Sequence, residues 1–211
     1  LTSFQRIEVT NSLIGEANVL DKVLLSDADK IRHTMEEIDH ASFEEAIDRI
    51  IGAKNIYIMG VRSSPHLAGF LDMGMRRMFD NVKMIQSTAG SEVFEQMINI
   101  GPEDVLVAIS FPRYSKISVQ AMHYAQNKGA TVIALTDSAL SPIAPYATNL
   151  LTAHSDMAAV VDSLVAPLSV INALIVALSL RTMESTRTKL EELEQLWNSY
   201  EVYQSVDGAG E

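Results

Sequence analysis

Apolar and polar positions follow two different rhythms along this chain, and the change comes near residue 54. Before it, Leu20, Leu24, Ile31, Met35 and Ile38 recur at roughly helical spacing among acids and bases, which predicts a helical flank. Ser42 is expected to cap a short helix running to Ile51, with Glu45 as its capping-box partner and Gly52 as its end. Beyond residue 54, short apolar runs alternate with helical periods. Asn55–Gly60, Val82–Gln86, Val105–Ser110 and Thr131–Thr136 read as buried strands, and Asn149–Ala153 as a weaker fifth. Pro65–Phe79, Ser91–Asn99 and Ser115–Asn127 read as the helices between them. The first of these carries Leu67, Leu71, Met75 and Met78 on one face, and the last is ended by Gly129. A long apolar helix over 160–182 follows. Then comes an amphipathic helix with Leu190, Leu193, Trp197 and Tyr200 on one face, and a frayed tail from Val206.

Strand–helix units of this length imply an α/β fold, a parallel sheet with helices on both faces. Right-handed crossovers place every strand-to-helix loop at the carboxyl edge of the sheet. In open sheets of this kind that edge is where ligands bind.

Composition narrows the chemistry. Of 211 residues, 47% are hydrophobic, which excludes a disordered polyanion. The absence of cysteine excludes disulfides, zinc–thiolate and iron–sulfur sites and a thiol nucleophile, and fits a reducing, cytoplasmic setting. The formal charge of −11 sits wholly in the flanks: residues 1–52 are net −6, 184–211 net −5, and the middle is neutral. No Lys/Arg cluster of the kind that grips DNA phosphates occurs, so DNA binding by this chain itself is not expected. Leu1 to Gly15 lacks the basic start and apolar block of a signal peptide, and a start at Leu suggests a trimmed or processed fragment. Ser163 to Leu180 is uncharged for 18 residues, but Pro167, Asn172 and three serines interrupt it. It reads as a core or interface helix, and no membrane association is expected.

Three loops follow the apolar strands. Gly60-Val61-Arg62-Ser63-Ser64-Pro65 combines a tight turn, two candidate caps, a guanidinium and a proline suited to the first helical position. The exposed N–H groups of such a helix start form an anion site, so the set suits a phosphate ester or plain helix capping beside a solvated arginine. Ser110-Phe111-Pro112-Arg113-Tyr114-Ser115-Lys116 repeats the arrangement, with donors on Ser110, Arg113, Tyr114, Ser115 and Lys116. That recurrence within a neutral core favours the anion site. The third loop, Thr136 to Pro142, has no positive charge and reads as a wall, with Ser138 able to meet sugar hydroxyls and Asp137 organising the turn. After the second strand, Ser87 to Glu92 places Glu92 in a first helical turn, as a dipole partner or as a base or hydroxyl acceptor. No histidine pair has metal-ligand spacing, and neither a Walker A pattern nor GxGxxG occurs, so no metal, cofactor or catalytic constellation is assigned.

At these loops the chain resembles the SIS, or sugar isomerase, domain, and more narrowly the ligand-sensing half of RpiR-type bacterial transcriptional regulators. The likeness is carried by NIYIMGVRSSPHLAGFL, by IGPEDVLVAISFPRYSKISVQAMHYAQNKGATVIALTDSALSPIAPYA, and by DSLVAPLSVINALIVAL. The resemblance implies a three-layer α-β-α sandwich with a five-stranded parallel sheet, plus N- and C-terminal helices. It implies a helical linker over 1–42, the SIS domain over 43–183, and a C-terminal amphipathic helix and tail over 184–211. It also implies a phosphorylated sugar or related small anion bound by Arg62, Ser63, Ser64, Glu92, Ser110, Arg113, Tyr114, Ser115, Lys116 and Ser138. The family's first loop often reads G-x-G-x-S, and here Arg62 replaces the second glycine. Its second often reads S-x-S-G-x-T, and here Pro112 and Arg113 replace the middle serine and glycine. Each departure adds an arginine. The expected role is effector sensing within a homodimer or higher homo-oligomer whose DNA-binding helix-turn-helix half has been removed. The alternative is an aldose–ketose sugar-phosphate isomerase on the same fold, for which Glu92 and His66 are the candidate bases.

Overall fold

The structure, a computed structural model, describes residues 17–86, 89–155 and 162–202, together with Gln5, Glu8, Val9 and Ser12. The alternation read from the sequence is realised as α1 (Val19–Glu37), α2 (His40–Ile51), β1 (Ile56–Gly60), α3 (Pro65–Arg76), β2 (Val82–Ile85), α4 (Gly90–Gln96), β3 (Val105–Ile109), α5 (Lys116–Asn127), β4 (Thr131–Thr136), β5 (Asn149–Thr152), α6 (Val165–Arg181) and α7 (Met183–Ser199). The five strands form one sheet, all parallel, in the order β2-β1-β3-β4-β5.

Strands β1 and β3 are buried at every position, because both faces of the sheet are covered. Their side chains alternate between two cores. Ile56, Ile58, Val107, Ile109, Ile133 and Leu135 point to a layer built from α2, α3 and α6. Tyr57, Met59, Leu106, Ala108, Val132 and Ala134 point to the layer of α4 and α5. Helix α1 lies outside the sandwich, against α6. Arg181, at the end of α6, pairs with Glu44 and Asp48 of α2. Ser87, Thr88 and the expected tail from Val206 lie outside the described residues.

Two expectations about helix α2 need correction. Helix α2 starts earlier than expected: the Asp39 carboxylate accepts from the Ala41 and Ser42 N–H groups, so Asp39, not Ser42, is the cap. Glu45 is consequently no capping-box partner. It accepts from Arg49 and Asn149, and these hydrogen bonds, Arg49 first, lower its pKa below the usual carboxylate range. Most of the apolar stripe of α1 faces outward, while Ile38 packs against the core. Leu20, Leu24 and Met35 are exposed, while Lys30 and Thr34 are buried. Lys30 is kept buried by Asp27 and by the Ser26 hydroxyl at 2.7 Å. An apolar groove of about 220 Å³ runs between α1, α2 and α6, lined by Ile31, Met35, Ile38, Phe43, Val170 and Ala173 among others.

Helix α6 is uncharged from Val165 to Leu180 and half buried, with Ala166, Val170, Ile171, Leu174 and Leu178 inside and Val176 and Leu180 exposed. No single described helix is long and apolar enough to cross a membrane; α6 and α7 meet at 99°.

Candidate functional site

Strand order places one topological switch in this sheet. From β1 the chain crosses to β2 on one side through α3, and from β3 it crosses to β4 on the other through α5. The two helices lie on opposite faces, α3 in one core layer and α5 in the other. Their first turns therefore diverge above adjacent strands, with Gly60 paired to Ile109, and open a crevice between them. Both loops singled out in the sequence end in this crevice.

In the first loop Gly60 is held tightly. A Cβ built there would lie 2.5 Å from the Ser64 carbonyl oxygen and 2.9 Å from Ala68 Cβ. That carbonyl accepts the first helical bond, from the Ala68 N–H. Ser64 stands at the N-cap of α3, yet its hydroxyl makes no cap hydrogen bond. Its Oγ is buried, with no hydrogen-bond partner among the described residues. A buried hydroxyl without a partner costs roughly 1–3 kcal/mol, which a ligand oxygen would offset. Ser63 and Arg62 are exposed.

In the second loop Ser110 is buried and continues the sheet ladder, its N–H donating to Leu135 O. Ser115 is the N-cap of α5 by position, again without a side-chain cap bond, and Lys116 follows in the first turn. Tyr114 donates its hydroxyl to Asp137 Oδ1 at 2.6 Å, so it latches the second loop to the third. Thr136 Oγ1 donates to the same oxygen at 3.1 Å. Burial first, then the bond to Asp137 and its charge, push the Tyr114 phenol well above the usual tyrosine range. Its raised pKa makes the latch stable below about pH 10 and weaker as pH rises through the folded value. Tyr114→Phe is expected to lower stability by about 1 kcal/mol at neutral pH, read as a denaturation midpoint. Absorbance titration should lose the last-titrating tyrosine in that variant; an unchanged curve would dissolve the latch.

Ser138 Oγ accepts from the Leu140 N–H and shapes the turn, while Asp137 serves the latch. Ser141, not singled out in the sequence, is buried with no partner for its hydroxyl. Glu92 is exposed in the first turn of α4, and His66 is exposed in that of α3.

Arg62 and Arg113 share an unusual backbone. Their φ angles are 63° and 66°, the left-handed region. A non-glycine residue there costs about 1–2 kcal/mol. Substituting glycine at either position is expected to raise stability by roughly 1 kcal/mol, unless the guanidinium carries a contact that offsets the strain. A fall in melting temperature would reveal such a contact.

Arg32, Arg49, Arg76, Arg181, Arg187, Lys54 and Lys189 pair with carboxylates. Arg62, Arg113 and Lys116 have no carboxylate within salt-bridge distance among the described residues, as is also the case for Arg77 and for Lys83 and Lys128, which lie over the Tyr57 and Tyr124 rings. In a chain of formal charge −11, Arg62, Arg113 and Lys116 are available to an anion.

The architecture is that of a doubly wound α/β protein with a crevice at its switch point. Residues 49–177 match the SIS domain family, and the chain belongs to it. An uncharacterized HTH-type transcriptional regulator of Haemophilus influenzae is 26% identical over 129 residues, covering 61% of this chain and 44% of that protein. The chain spans about half the length of the curated relatives it matches. The sugar isomerase domain of an RpiR transcription factor from Sphaerobacter thermophilus superposes with a TM-score of 0.80 at 24% identity, over 84% of this chain and 98% of that one. The NanR protein of Vibrio vulnificus, solved complexed with ManNAc-6P, gives 0.75 at 20% identity, over 92% and 73%. Both likenesses are of fold.

Proposed function

We propose that this chain is the effector-binding part of an RpiR-type transcriptional regulator and that its effector is a small phosphorylated sugar. The reading divides the chain into a linker over 1–42, the sensing domain over 43–183 and a C-terminal helix and tail over 184–211. One observation carries it. Three cations without acidic partners among the described residues, Arg62, Arg113 and Lys116, gather on the two loops that flank the switch point. The N-termini of α3 and α5 add backbone donors aimed at the same crevice. Ser64, Ser110 and Ser115 donate to the phosphate, the cations supply charge, and Ser63 and Ser138 border the sugar. Tyr114, whose proton is held by Asp137, fixes the second loop. The ManNAc-6P bound by a protein of the same fold supports a phosphorylated sugar as the class.

The sensor acts as a homodimer. Exposed Leu20, Leu24, Ile31 and Met35 of α1 and Val176 and Leu180 of α6 supply an apolar surface for a second copy. An exposed patch of this kind marks an association surface. Binding changes the dimer only if the two arrangements differ in affinity for the sugar.

Phosphorus NMR of the domain with a panel of sugar phosphates, followed over hours, tests the reading. Shift or broadening of one resonance without new peaks is the expected result, weakened about tenfold or more by Ser64→Ala with Arg113→Ala. A product resonance that disappears with Glu92→Gln would instead establish an isomerase.

A further inference from the structure

Helix α7 is weakly supported by its own subunit. It runs for 17 residues, and Thr186 is the buried side chain among them. A helix of that length is marginal in water, and helices in proteins are held mainly by packing of an apolar face. No side-chain cap holds its start, and it leaves α6 at 99°. On it and just after it, Met183, Leu190, Leu196 and Tyr200 are exposed, and Leu193 and Trp197 are half-buried.

The bend forms an elbow. A groove of about 630 Å³ lies there, lined by Leu180 of α6 and by Met183, Arg187, Leu190, Glu191 and Glu194 of α7. Val176, one turn back along α6, is exposed as well. Charge in the groove is segregated: Arg187 lies on the amino side of Leu190, Glu191 and Glu194 on the carboxyl side. The whole helix repeats this bias. Residues 190–201 hold Glu191, Glu192, Glu194 and Glu201 and no base, whereas 181–189 hold Arg181, Arg187 and Lys189 against one acid, Glu184. Arg181 is committed to Glu44 and Asp48, and Lys189 to Asp80. Arg187 pairs with Glu191 one turn on, an exposed contact of little strength.

We infer that the occupant of this elbow is α7 of a second copy, running antiparallel and crossing near Leu190, so that Arg187 of each chain meets Glu194 of the other. This rests on the homodimer reading and specifies its surface and its sense; it does not depend on the ligand of the crevice. A two-fold interface requires a patch that is complementary to itself. A base and an acid on either side of Leu190 meet that requirement when the second helix is turned end over end. A parallel pair would instead set Arg187 beside Arg187 and Glu194 beside Glu194. A purely apolar occupant, such as the exposed stripe of α1, would cover Arg187 and Glu194 without pairing them, at a desolvation cost. The crossing also removes Leu180, Met183 and Leu190 from water.

Cross-linking reads the sense of the pair. The chain has no cysteine, so an introduced thiol is unique. Met183 and Asn198 are exposed near opposite ends of α7. In the antiparallel pair Met183 of one copy lies beside Asn198 of the other, while like positions are roughly 22 Å apart. Met183→Cys and Asn198→Cys chains, mixed and treated with a short bismaleimide, should give a cross-linked dimer that neither variant gives alone. Sedimentation velocity should show Arg187→Glu weakening the dimer about tenfold, and Arg187→Glu with Glu194→Arg regaining most of that loss, with helicity unchanged by circular dichroism. Cross-linking of either variant with itself would overturn the inference. So would a mixture that sediments as a dimer without cross-linking, or a double reversal no tighter than the single one; each leaves the homodimer reading standing. A chain that sediments as a monomer at every concentration would overturn both.

Discussion

Gly60→Ala is expected to cost about 3 kcal/mol of stability and to abolish binding at the crevice, the two effects arising from one collision. The added methyl would lie 2.5 Å from the Ser64 carbonyl oxygen and 2.9 Å from its carbonyl carbon, both backbone atoms that cannot rotate away. Relief requires moving the start of α3, which carries Ser64 and, two residues before it, Arg62. The urea midpoint should fall at nearly constant slope, and the melting temperature by roughly 10 °C. Gly69, where a methyl meets nothing within 4 Å, is the control: Gly69→Ala in the middle of α3 should gain stability. If Gly60→Ala melts with the unaltered protein, the tight turn described above does not exist.

Val176→Glu with Leu180→Glu is expected to convert the proposed dimer to monomers, raising the dissociation constant about 100-fold or more, because each buried, unpaired carboxylate costs several kcal/mol. Both side chains are more than half exposed on the subunit, so the monomer should fold unchanged by circular dichroism. Sedimentation velocity across a concentration series reads the shift. The crevice lies at the sheet edge, so sugar-phosphate affinity per subunit should fall little. A variant that remains dimeric would place the interface on another face.

Much of the sheet was legible because a strand covered on both faces must be almost wholly apolar. Val105–Ile109 and Thr131–Thr136 announce themselves for that reason. The helix α1 was legible as a helix but not in orientation. Its apolar stripe is plain in the sequence, yet the stripe gives no indication of whether it meets this chain or another. The buried side was chosen instead by Lys30 and Thr34, which find their partners locally or across the fold. The cap of α2 went to Asp39 because a carboxylate there reaches two N–H groups that Ser42 cannot.

At the crevice, loop positions could be read because serine, proline and glycine punctuate helix starts. The left-handed backbone at Arg62 and Arg113 could not, since glycine or asparagine is the usual signal for it. Nor could the latch from Tyr114 to Asp137, which joins residues 23 apart through a geometry that only the folded loops create. Ser141 gave no signal either, because its significance lies in a missing partner rather than in its neighbours.

The stitching of α1 to the segment after β5 has a mechanical consequence. Ser163 Oγ donates to Asp27, the His154 N–H donates to Thr34 Oγ1, and His154 Nε2 donates to Glu37. The carboxyl half of α1 is thereby bolted to the same sheet edge that carries the crevice. Asp27, the first fixed point, lies 8 residues from Val19, about 12 Å along a helix of 1.5 Å rise. A 10° tilt at the bolt would swing the amino end by about 2 Å. The helix is therefore a lever with its fulcrum at the carboxyl end of β5, and displacements of that edge strand are carried to its far tip.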